Sequence, residues 1–214
     1  LQPLADAWQQ ALDSTEDEGV FKSYRMSAFF SQHIQPYLAK DRSVFIIISD
    51  GLRFELGVEL GKRLEQMNRF KVEVSNLAAP VPTYTQLGMA SLLPHTALQI
   101  ADDWNTVFTD GMSTAGLENR GKVIQKWLDG KYKGKKARVI NADSFMDMPR
   151  AEQGDFIRGI DIVLLYSSGV DAVGDAVKKE LRLPRAADDE IRKLENICSH
   201  IGNNLSRTHI IITA

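Results

Sequence analysis

Residues 43–51, SVFIIISDG, set five consecutive apolar residues, 44–48, against an abrupt Ser-Asp-Gly ending. An unbroken apolar run of strand length, mostly β-branched or aromatic, predicts a strand buried on both faces of a parallel sheet. Leu56, Leu60 and Leu64 then repeat on one helical face, so residues 52–66 are predicted to form a crossover helix. Residues 70–77, FKVEVSNL, alternate apolar and polar and predict a second strand. Beyond the Pro-rich loop that starts at Ala79, residues 85–93 read as a short helix ending before Pro94.

The same pattern extends to both ends. Leu4, Ala5, Trp8, Ala11 and Leu12 have helical spacing, residues 14–19 are an acidic loop, and 20–38 resume a helical period through Phe21, Tyr24, Ala28, Phe29 and Ile34. Pro36 is expected to disturb the last turn of that helix. Downstream, 105–108 read as a short extended piece, 117–128 and 188–205 as helices, and 137–141, 160–166 and 209–213 as strands. Strands alternating with helices imply an α/β fold, a doubly wound and mostly parallel sheet with helices on both faces. Residues 1–42 form a helical N-terminal lead-in on this reading, and 43–214 the core.

Composition narrows the classes. The 214 residues suffice for one sizeable α/β domain with a helical appendage, and 43% hydrophobic residues can bury a real core. A net charge of −2 excludes a globally basic nucleic-acid binder, leaving one local basic loop, GKYKGKK at 130–136, followed by Arg138. The lone Cys198 rules out an internal disulfide framework and fits a reducing compartment. No apolar run nears the roughly 18 residues that span a bilayer. The chain starts at Leu1 and stops at Ala214 within a strand-like run, so it is expected to be an excised fragment whose core is truncated at the C-terminal end.

Chemistry-bearing residues cluster at element ends. Open α/β sheets place their sites just outside the carboxyl ends of the strands, where Asp50 stands. The alternative for Asp50 is a cap on the following helix. Thr85 is a hydroxyl behind a rigid proline loop at a predicted helix start, suited to an anion or to simple capping. Asp171 and Asp175 follow the 160–166 strand, four residues apart. On a helical turn that spacing brings both carboxylates to one face, where a cation would offset their repulsion; the alternative is a pair of solvated loop acids. Arg53 lies near Asp50, as a phosphate contact or a surface ion pair. His33, His95, His200 and His209 have no metal-ligand spacing and read as surface or packing residues. Neither a Walker A motif nor a G-x-G-x-x-G after the first strand occurs.

Three blocks, 48–55 (ISDGLRFE), 82–89 (PTYTQLGM) and 170–175 (VDAVGD), together resemble the PglZ family of the alkaline phosphatase superfamily. The similarity runs from about residue 43 to 214, with PTYTQLGM its most specific part. The resemblance implies an alkaline-phosphatase-like core and a metal-dependent phosphoesterase of BREX phage-defence systems, cytoplasmic, working with other BREX proteins. It implies that Asp50 binds one metal, that Thr85 is the catalytic nucleophile and touches the same metal, and that Asp171 and Asp175 bind a second. The cofactors expected are divalent ions, Zn2+ or Mn2+. Asp175 stands where the wider superfamily usually has His. Arg53, Tyr84 and Gln86 are the expected substrate contacts. The superfamily's Asp-His pair after the last strand would fall beyond Ala214, so the fragment alone is expected to be incomplete and inactive. Two rival readings are a nuclease acting as a phosphodiesterase on DNA or RNA, suggested by the basic loop and the defence association, and a catalytically degenerate interaction module. A flavodoxin-like nucleotide binder rests on fold class alone.

Overall fold

The apolar run becomes β1 (Val44–Ser49), with every residue buried. In this computed structural model, which describes residues 2–14, 25–168 and 183–214, β1 pairs in parallel with β6 (Ile162–Ser167) on one side and β7 (Ile210–Thr213) on the other. β5 (Ala137–Asn141) pairs in parallel with β6, giving a four-stranded sheet of order β5-β6-β1-β7. β6 is as completely buried as β1. Burial on both faces explains why these central strands read as continuous apolar runs.

Each face of the sheet has its own core. Val44, Ile46 and Ile48 face one way, clustering with Phe29, Phe30, Ile34 and Leu38 from the lead-in and with Val123, Ile124 and Leu128 of the helix Gly116–Lys131. Phe45 and Ile47 face the other way, toward Leu60 and Leu64 of α3 (Phe54–Gln66) and Ile191, Leu194, Ile197 and Ile201 of α8 (Leu183–Asn204). The sheet is thus doubly wound. Preceding α3 in the chain are α1 (Gln2–Asp13) and α2 (Gln35–Leu38), and between α3 and α8 stand α4 (Thr85–Ser91), α5 (Gly116–Lys131), α6 (Ala142–Met146) and α7 (Arg150–Ile157).

Two segments depart from the periodicity. Residues 70–77 join no strand ladder; nearby Ala78 makes an isolated bridge to Arg25. Their apolar positions pack on helices instead: Val74 and Val72 close over the spot where Gly61 of α3 lacks a β-carbon, at 2.9 and 3.4 Å, and the Phe70 ring lies against Gly202 of α8. Alternation records one apolar side, and here that side meets helices. The expected helix over 20–38 is likewise replaced, in its described part, by a 3-10 turn (Met26–Ala28), a π turn (Phe30–Ile34) and α2. Pro36 lacks an N–H for the carbonyl four residues before it, and the widened turn directly precedes it.

A small antiparallel sheet, β2 (Leu98–Ile100), β3 (Val107–Thr109) and β4 (Met112–Ser113), flanks the main one. Asp110 and Gly111 turn β3 into β4 with φ of 47° and 77°, the two positive values of a type I′ hairpin. The Asp110 carboxylate accepts from Thr96 N–H at 3.1 Å, Thr96 Oγ1 at 2.6 Å and Ala97 N–H at 2.9 Å, pinning the hairpin to the chain entering β2. Val107, Leu98 and Ile100 then pack with Leu87, Ala90 and Tyr84. This sheet buttresses the helix that carries Thr85.

Candidate active site at the strand exits

Asp50 leaves β1 in a defined turn. Its N–H donates to Ser167 O at 2.8 Å, continuing the β1–β6 ladder past the strand, and Leu52 N–H donates to Ser49 O at 3.1 Å. Gly51 between them has φ of 80°, a conformation that a side chain would strain. Asp50 is half-buried. The N-cap of α3 is Arg53, so Asp50 does not hold that position. The Arg53 side chain is exposed, and no carboxylate pairs with it among the described residues.

Thr85 is the first residue of α4, with Tyr84 as N-cap. Its side chain is exposed and its hydroxyl has no hydrogen-bond partner among the described residues, so it is not spent on capping. One turn on, Met89 is buried in the cluster that holds Ile46, Ile48 and Tyr166. That anchor seats α4 on the Ile48 face of β1. The loop before it includes a cis bond between Val81 and Pro82. Tyr84 is half-buried, its ring 6.5 Å from that of Trp104, and its hydroxyl is enclosed without a partner among the described residues. Gln86 is exposed.

Asp171 and Asp175 lie outside the described residues, which end on that side at Ser168. Among the described residues no group of three or more His, Cys, Asp or Glu gathers as a metal site. The donors at the β1 exit are oxygens, the type that hard divalent cations take, and one of them, the buried Ser167 Oγ, lacks a partner among the described residues.

The sequence pattern passed over three residues here. Ser49 Oγ donates to Glu190 Oε1 at 2.8 Å, with Ser49 wholly buried and Glu190 only 3% exposed. Ser167 lies opposite Ser49 in the β1–β6 register. A signal was present: Glu190, Leu194, Ile197 and Ile201 share one stripe of α8, so Glu190 is a carboxylate on an otherwise apolar face. On the other face of β6, the Arg120 guanidinium stacks 4.6 Å from the Tyr166 ring centroid. Burial pushes the Tyr166 phenol up to about 12, against the opposing pull of Arg120.

Histidines serve packing and local bonding. His200 Nε2 contacts Gln153 Oε1 at 2.6 Å, His209 Nε2 contacts Arg42 at 3.3 Å, His95 Nδ1 contacts Leu93 O at 2.7 Å, and His33 packs on Phe29. Burial lowers the pKa of His33, His200 and His209. The basic loop is partly tied down: Lys135 Nζ binds Asp41 at 2.5 Å and Asp161 at 3.0 Å, Lys131 lies over Trp127, and Arg138 lies over Phe156. Among the described residues no helix is long and apolar enough to cross a membrane.

Comparison with known proteins places these features in a family. The family model described as the BREX system PglZ alkaline phosphatase-like domain matches residues 29–214. The alkaline phosphatase-like protein BrxZ of Escherichia coli O9:H4 (strain HS) is 32% identical over 193 residues, covering 89% of this chain and 21% of the relative. The alkaline phosphatase-like protein PglZ of Bacillus cereus (strain H3081.97) is 27% identical over 216 residues, covering 100% of this chain and 24% of the relative. The chain therefore spans between a fifth and a quarter of the length of these curated relatives.

Proposed function

The chain belongs to the BREX-system PglZ alkaline phosphatase-like family, and on that basis we propose that it contributes the nucleophile and part of the metal site of a phosphoesterase acting in phage defence. The observation that carries this reading is Thr85: an exposed hydroxyl, without a hydrogen bond among the described residues, on the first residue of a helix seated against β1, the strand that delivers Asp50. Thr85 Oγ1, losing its proton to water, attacks phosphorus as the ester oxygen departs on the opposite side and takes up a proton from water, leaving a phosphothreonine. Water then cleaves that bond, releasing phosphate and restoring the hydroxyl.

Divalent ions, Zn2+ or Mn2+, would be held by Asp50 and Thr85 and by Asp171 and Asp175, and when bound would acidify the attacking hydroxyl and neutralise the phosphoryl oxygens. Arg53, exposed and without an ion pair among the described residues, supplies a guanidinium for the substrate anion. Gln86 and the Tyr84 backbone flank the nucleophile. Tyr84 contributes mainly by anchoring the loop through its ring.

The test is hydrolysis by the full-length protein of a chromogenic phosphomonoester, a chromogenic diester and plasmid DNA, each with Mn2+ or Zn2+. Turnover of any of them, lost in Asp50→Ala, supports the reading, and the preferred substrate separates phosphatase from nuclease. Absence of turnover on all three favours an interaction role for the fold.

A further inference from the structure

The acidic residues of α8 divide sharply. Asp188 pairs with Arg63 at 3.0 Å and with Arg192 at 2.9 Å, Asp189 faces Arg185 at 3.8 Å, and Glu195 faces Arg63 at 4.0 Å. Glu190, more buried than any of these, pairs with no Lys, Arg or His among the described residues. Among the described residues its side chain accepts one hydrogen bond, from the Ser49 hydroxyl. Across the β1–β6 ladder from Ser49 lies Ser167, whose buried hydroxyl lacks a partner among the described residues. A carboxylate and a serine hydroxyl without counter-charge among the described residues are therefore packed directly beneath the turn that presents Asp50. Buried charge is unfavourable unless an opposite charge offsets it.

We propose that Glu190 is a supporting residue of the metal centre: from behind the β1 exit it supplies negative charge that a bound divalent cation neutralises. The inference rests on the metal-site reading of Asp50 given above. Glu190 is not itself placed among the ligands. It acts through the field of its charge from behind the ligands, where supporting groups typically alter affinity by about 10- to 100-fold. The ion pairs elsewhere on α8 would fix the helix without Glu190, so helix docking gives no reason for an acid at this position.

The experiment separates charge from bonding in the full-length protein stripped of metal by chelation. Glu190→Gln keeps an acceptor for Ser49 Oγ and removes the charge; Ser49→Ala keeps the charge and removes the bond. Mn2+ affinity is read by calorimetry and the metal-induced rise in Tm by thermal unfolding. The expected result is about a tenfold or greater loss of Mn2+ affinity in Glu190→Gln, with a metal-free Tm equal to or above wild type, because an uncompensated charge has gone. Ser49→Ala should stay within about threefold of wild-type affinity. Wild-type affinity in Glu190→Gln, or the tenfold loss appearing in Ser49→Ala, overturns the proposal. If Glu190→Gln does not fold, Glu190→Met, which removes the charge and refills the volume, is read in its place against the same tenfold criterion. Asp50→Asn is the control: if it weakens Mn2+ binding while Glu190→Gln does not, only this inference falls, whereas a wild-type protein that binds neither Mn2+ nor Zn2+ removes the metal reading as well.

Discussion

Thr85→Ala offers a separation of chemistry from stability that the geometry makes quantitative. Thr85 is exposed, makes no hydrogen bond among the described residues, and sits at the first helical position with Tyr84 as N-cap. The roughly 1 kcal/mol lost on deleting an N-cap side chain therefore does not apply. Alanine is a slightly better helix former than threonine. The stability change should fall within about 0.5 kcal/mol of zero, as for surface substitutions away from special features. Activity should behave otherwise. Removing a covalent nucleophile should reduce kcat by about 10³-fold or more, about 4 kcal/mol of transition-state stabilisation. Thr85→Ser retains the hydroxyl and should recover a measurable part of the rate. The assay is phosphoester hydrolysis by the full-length protein beside urea unfolding of the same samples. A Thr85→Ala protein that is as stable as wild type and keeps more than about a tenth of its kcat refutes Thr85 as nucleophile.

Other consequences follow from packing and charge. Ile47 is fully buried between Leu165 and Ile212 in the register, so Ile47→Ala should lower unfolding free energy by about 2–5 kcal/mol in urea titration. Lys135 has its pKa raised above 10.5 by the hydrogen bond to Asp41 and then by that to Asp161. Its contribution is fully present below pH 10.5 and fades as pH climbs through the raised value, so the stability gap between wild type and Lys135→Met should be constant near neutrality and narrow in alkali. Burial pushes the Cys198 thiol up to about 12, so a thiol reagent at pH 8 should label it only at the rate of unfolding, and fast labelling of native protein would contradict the packing.

What the sequence disclosed follows from how each element is buried. β1 and β6 were legible because strands covered on both faces carry long apolar runs, and β7 through its run of isoleucines at 210–212. The α3 helix was legible through Leu56, Leu60 and Leu64. Residues 70–77 misled because Phe70, Val72 and Val74 share an apolar side, which says nothing about whether the backbone has a ladder partner; α3 and α8 take up that side instead. Of the β3–β4 hairpin only the extended piece at 105–108 was legible, because strands of three and two residues carry too little period, although Asp110-Gly111 is a strong turn signal. At the site, Asp50 and Thr85 were readable as polar residues at element ends. Glu190 was not, because the long-range Ser49 contact that gives it meaning exists only in the folded chain.

The central claim, that the strand exits build a metal-dependent phosphoesterase site, is tested most directly by metal removal and return. Full-length protein assayed on the phosphoester that it turns over should lose hydrolysis after chelation and dialysis, and regain it on addition of Mn2+ or Zn2+, while Asp50→Ala stays inactive at every metal concentration. Hydrolysis that persists undiminished in chelator, or that Asp50→Ala retains in full, would contradict the account.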